Sequence, residues 1–96
     1  MSASRTFKFR LFVAGDAQNS MLAIANLKAI CESHPRDRYE IEVVDVLREP
    51  LRALRDGIFL TPTLMKVTPS PECKVVGTLS QTQIVVQALG LEAGPP

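Results

Sequence analysis

The stretch Ser80–Gly90, "SQTQIVVQALG", decides the fold, because it carries two opposed signals. Ser80 and Gln83 have the S-x-x-Q spacing of a capping box, and Leu79 and Ile84 stand at the two positions of a hydrophobic staple. Both devices predict a helix. Ile84-Val85-Val86 is instead a β-branched run, which lowers helix propensity and suits a strand. The adopted reading is a helix over 81–89 with Gly90 just past its end, against a competing strand over 83–88.

Upstream, "FKFRLFVA" (7–14) alternates Phe7, Phe9, Leu11 and Val13 with Lys8, Arg10 and Phe12, the period of a strand. Gly15-Asp16 breaks it, and Asn19 or Ser20 is placed to cap the next helix. Ala23, Ile24, Leu27, Ile30 and Cys31 recur at spacings of three and four and give that helix one apolar stripe. His34-Pro35 ends it, since the residue before proline is driven out of the helical region. "YEIEVVDV" (39–46) is a second strand. Strand, helix and strand with short links predict a parallel βαβ unit. Lys8 and Arg10 then either share a face with Glu40 and Glu42 or lie on independently solvated edges.

Pro50 suits the first turn of a short helix, "PLRALRD" (50–56), and Gly57 suits its exit. Next comes "TPTLMKV" (61–67), with a proline at the mouth of an apolar strand. A residue without a backbone donor belongs at the first position of a strand or in a turn that precedes it. Lys74-Val75-Val76 is the return strand of a hairpin.

Ninety-six residues, an apolar fraction of 46% and a mean hydropathy of +0.11 predict one globular domain over 1–96, with 1–6 and 91–96 flexible. Eleven basic against ten acidic residues leave a net charge of +1, without the basic surplus of a nucleic-acid module. No apolar run approaches the ~20 residues of a membrane span. The start "MSASRTFKFR" has no apolar signal core, so a cytoplasmic protein is expected. Cys31 and Cys73 form no C-x-x-C pair and read as small hydrophobes, Cys31 in the core and Cys73 nearer the surface. With His34 the only histidine, no metal site and no cofactor are expected. His34 is a helix-end residue. Asp45 has no histidine or second carboxylate nearby in sequence and reads as a satisfied strand-end acid.

The element order resembles the thioredoxin-like βαβαββα arrangement with a mixed sheet, and Thr61-Pro62-Thr63 resembles its cis-proline loop. The redox dithiol of that fold should lie in "AGDAQNS" (14–20), which has no cysteine. More of the chain, in "LFVAGDAQNS", "YEIEVVDVLREP", "TPTLMKV" and "GTLSQTQIVVQAL", resembles the KaiB family of the cyanobacterial circadian clock. That resemblance implies a non-catalytic adaptor of two folds: a ground state whose second half rearranges and self-associates as a tetramer, and a thioredoxin-like monomer. The latter docks on a KaiC ATPase ring, captures KaiA and displaces the kinase SasA.

Arg48, Glu49, Pro50, Leu51, Arg55 and Asp56 lie where the resemblance implies the KaiC-docking surface. Lys66 and Lys74 match basic positions that meet acidic partner residues. The ordinary alternatives are an amphipathic helix with Leu51 and Leu54 inward, and solvated lysines. Ser80, Gln83, Ala88 and Gly90 are the expected fold-state determinants. Family members often have glycine at the position of Ala88 and aspartate at that of Gly90. Glycine within a helix is less favourable than alanine by roughly 0.8–1.0 kcal/mol, so the thioredoxin-like monomer is the expected resting state. Leu22, Gly57 and Glu42 also depart from the basic residues usual in clock KaiB. They leave open a relative with a non-clock partner, or a divergent redox or glutathione-binding protein.

Overall fold

The alternation of Phe7, Phe9, Leu11 and Val13 makes β1 (Thr6–Val13) the strand on which everything else is laid. In the computed structural model, which describes residues 5–91, the chain runs β1, α1 (Gln18–Glu32), β2 (Arg38–Asp45), α2 (Pro50–Arg55), β3 (Thr63–Thr68), β4 (Cys73–Val76), α3 (Thr82–Leu89). The sheet order is β2-β1-β3-β4, with β2 parallel to β1 and the other neighbours antiparallel.

Each face of the sheet has its own core. On one, Phe7, Phe9, Leu11, Val13 and Leu64 meet Ala23, Leu27, Ile30 and Cys31 of α1 and Val85, Val86 and Leu89 of α3. On the other, Phe12, Val44 and Met65 meet Ala53 of α2 and Ile58. Each large side chain so buried contributes roughly 1.5–3 kcal/mol. The apolar stripe predicted for α1 is the buried one, with Ile24 at its margin. Its predicted caps are not used. The helix begins at Gln18, and Ser20 lies buried with its hydroxyl accepting the Ala14 amide at 3.1 Å. The side chain therefore satisfies the chain leaving β1 rather than the helix end.

The closing segment is a helix, which removes the competing strand. The capping box and staple that argued for it do not form. Leu79 takes a left-handed φ of 65° that carries its side chain into the core, away from Ile84, which stays exposed. The Ser80 hydroxyl accepts from Thr78, and Gln81 precedes the helix without a side-chain cap. Burial of Val85, Val86 and Leu89 overrides the β-branched preference, since propensity is weak beside packing.

Both α2 and α3 stop by the same device. Gly57 (φ 70°) and Gly90 (φ 74°) stand just past the helix in the left-handed region. Gly57 and Ile58 donate back to Leu54 and Ala53, and Gly90 and Leu91 to Gln87 and Val86, the paired bonds of a Schellman turn. Ile58 with Ala53, and Leu91 with Val86, add the buried apolar clasp. Leu91, expected in a frayed tail, is thus buried, and Thr6, expected to be flexible, opens β1. Arg5, also expected to be flexible, donates to Asp37 and Gly90, and the remaining residues of those ends, 1–4 and 92–96, lie outside the described residues.

Candidate protein-docking site on the second helix

At α2 the side chains face opposite to the simple amphipathic expectation. Leu51 and Leu54 point outward at 70% and 66% exposure, and Leu47, just before the helix, is 71% exposed. Only Ala53 of the helix is buried. The reason lies in the sheet beneath. The parallel register sets Arg10 beside Glu42, so the surface under α2 is charged at that point, and Arg52 turns inward to meet it. Arg52 makes a two-pronged pair with Glu42 (2.7 and 2.9 Å). Arg10 joins Glu42 at 3.1 Å and Asp56 at 2.8 Å, and Glu49 lies 3.5 Å from Arg52. This also settles the strand faces: Lys8 and Arg10 do share a side with Glu40 and Glu42. Hydrogen bonds from Arg52, reinforced by Arg10, hold the Glu42 carboxyl down to about 2.

The outer face of α2 and its approaches thus carry leucines flanked by Arg48 and Arg55, both exposed. Arg48 comes only within 3.9 Å of Asp45 and keeps most of its surface in water. Glu49 and Asp56, expected on the docking surface, are turned instead to Arg52 and Arg10. Pro50 occupies the first turn, where its missing N–H costs nothing. Phe59 and Leu60 stand exposed beyond the helix, Phe59 at 86%. Sequence periodicity missed Leu54, Phe59 and Leu60 as exposed residues and Arg52 as the inward one. The signal available was the strand register, which sets Glu42 under the helix.

The two lysines lie on opposite sides of the sheet. Lys74 is exposed, pairs in register with Met65, and reaches toward Gly57 on the α2 side. Lys66 pairs with Phe9, is 4% exposed, and donates to the Leu89 carbonyl at 3.2 Å. It is a correction to its reading as a surface cation: its ammonium serves the open end of α3. Arg5 donates to Gly90 O and Cys73 to Ala88 O, so three side chains close that helix terminus. Gln83 and Ala88 are exposed on α3, away from its packed stripe.

Thr61–Pro62 is cis, as the loop resemblance implied. The Pro62 carbonyl accepts the Gly77 amide at 2.9 Å and Thr63 Oγ1 donates to Leu60 O at 2.6 Å, so the turn joins the mouths of β3 and β4. Asp45 accepts the amides of Gly15 (3.0 Å) and Leu47 (2.9 Å), the satisfied strand-end acid of the sequence reading. His34 Nδ1 donates to Ile30 O at the end of α1. Burial pushes the Cys31 thiol up to about 11, away from nucleophilic chemistry at neutral pH. Cys31 and Cys73 are both free. Among the described residues, no cluster of His, Cys, Asp and Glu is gathered that could hold a metal, and no helix is long and apolar enough to cross a membrane.

Solved structures similar to this one share its fold at low identity. The N-terminal domain of Synechococcus elongatus SasA superposes with a TM-score of 0.75 at 19% identity, covering 100% of this chain and 94% of that one. Chloroplastic thioredoxin z gives 0.73 at 19% identity, covering 98% and 97%. The fold is therefore thioredoxin-like. By sequence, the chain is 41% identical to the circadian clock oscillator protein KaiB of Prochlorococcus marinus strain MIT 9515, over 95% of this chain and 84% of that protein. It is also 41% identical to the circadian clock protein KaiB3 of a Synechocystis strain, over 90% of this chain and 82% of that protein. The KaiB domain model matches residues 10–91, and with these identities the chain belongs to the KaiB family.

Proposed function

We propose that this chain is a non-catalytic adaptor that docks through the outward face of α2 on a KaiC-type ATPase, in circadian or related signalling. The observation that carries the reading is the inverted helix: Leu47, Leu51 and Leu54 in water, beside Arg48 and Arg55, with the nearby acids turned to internal arginines. Solvated leucines on a helix this short have a physical use when a partner covers them. The complementary surface is an apolar recess with an acidic rim, and Lys74 extends the basic side of the contact. Lys66 takes no part.

The thioredoxin-like form is the resting state of this reading, and the protein is a cytosolic monomer. A SasA-like kinase, sharing the fold, competes for the same site, and a KaiA-like protein is the further partner. In the refolded tetramer Ser80, Gln83, Ala88 and Gly90 are the residues whose local preferences change. The test is association of the purified protein with a KaiC homologue from the same cell, with ATP and with ADP, by size exclusion with light scattering. A stable complex that Leu51→Asp abolishes is the expected result. No association under either nucleotide overturns the reading.

A further inference from the structure

Resting on that docking reading, we infer that Glu42, a residue of the sheet outside the docking face, positions it by fixing the rotation of α2 about its own axis. The helix has six residues and buries one, Ala53, so neither its own hydrogen bonds nor apolar burial hold it firmly. Followed by hydrophobicity alone, it would turn Leu51 and Leu54, one turn apart, toward the sheet. What faces the sheet instead is the Arg52–Asp56 side.

Both carboxylate oxygens of Glu42 are engaged. Oε2 accepts from Arg52 Nη1, while Oε1 accepts from Arg52 Nη2 and from Arg10 Nε. A planar guanidinium gripped at two points fixes orientation as well as distance. Arg10 then reaches on to Asp56 at the far end of the helix, at 2.8 Å. The helix is held near its start by Glu42 and at its end by Arg10, and the Arg10–Glu42 contact ties the two grips together. Glu42 holds Arg52 directly and reaches the second grip through Arg10. Burial beneath the helix leaves the Arg10 and Asp56 side chains 24% and 18% exposed, so this inner part of the network is shielded from solvent.

The experiment uses the full chain and three single variants, Glu42→Gln, Arg52→Gln and Leu51→Ala, with the double Glu42→Gln/Arg52→Gln. Backbone amide exchange over Arg52–Gly57 reports the helix; affinity for the KaiC homologue reports docking. Glu42→Gln is expected to speed exchange at α2 about tenfold and leave α3 unchanged, because opening is local. The same variant should weaken docking about tenfold, with the double no worse than either single change at that pair. Leu51→Ala should weaken docking with α2 exchange unchanged, which separates contact from positioning. Wild-type exchange at α2 in Glu42→Gln overturns the positioning role, as does loosened exchange with undiminished affinity. If wild-type protein fails to bind, the docking reading falls, and with it Glu42's role in docking. The exchange data then still decide whether Glu42 sets the helix.

Discussion

The helices α2 and α3 lie on opposite faces of one sheet, end on the same glycine turn, and are held by opposite physics. Under α3 the contact is apolar: Val85, Val86 and Leu89 enter the core, and the polar interactions gather at its C-terminus. Under α2 the contact is ionic beside one alanine, and the leucines face water. A helix docked by apolar burial has its hydrophobic surface used up. One docked by charge leaves that surface free for a partner.

The strongest way to break this comparison is to truncate leucines. Leu89→Ala removes a fully buried side chain and should cost ~2–5 kcal/mol of unfolding free energy in urea. Leu54→Ala should shift the same quantity by no more than about 0.5 kcal/mol. Equal losses would mean that the two helices are held alike.

Binding should show the reverse order. Leu51→Asp with Leu54→Asp is expected to weaken association with a KaiC-type ATPase by about 2 kcal/mol or more, some 30-fold, by calorimetric titration. Its melting temperature should stay close to wild type. Retained affinity would move the docking surface elsewhere.

The glycine turns sharpen the likeness rather than the difference. Gly57→Ala and Gly90→Ala each place a Cβ on left-handed backbone and should each cost about 1–2 kcal/mol in thermal unfolding. Neither added carbon would meet an atom closer than 3.6 Å, so the loss is conformational rather than a clash.

The smallest effect is that of acid. The folded-state carboxyl of Glu42 lies at about 2 against an ordinary 4.5, so its contribution is complete above the ordinary value and is lost as pH falls from there toward about 2. Unfolding free energy should therefore hold steady from neutrality to about pH 5 and begin to fall below 4.5, while backbone chemical shifts over α2 move only as pH approaches about 2 and those of α3 do not. The Glu42 side chain is 49% exposed, so screening keeps the effect modest.

Much of this fold is legible in the chain. The alternation in 7–14 and the stripe from Ala23 to Cys31 gave their elements correctly, and Gly57 and Gly90 marked two helix exits. The closing helix forms without the devices that predict it: its capping box and staple are absent, and burial with a left-handed Gly90 does the holding. For the residues expected to dock, exposure was partly legible. Arg48, Leu51, Arg55 and Lys74 are exposed as a docking role requires, whereas Glu49 and Asp56 pair with Arg52 and Arg10, and Lys66 lies under α3.

Sequence alone determined where strands and helices run, because those depend on spacings of two, three and four residues and on glycine at turns. It also excluded a dithiol at the first strand–helix turn. Only the tertiary structure decided which way α2 faces and which side of the sheet each lysine takes. Those outcomes depend on register, which brings Glu42 beside Arg10 and under Arg52 across gaps of thirty-two and ten residues. A local pattern offers the Arg10–Glu42 neighbourhood as one of two alternatives and contains no information about Arg52 turning in to meet it.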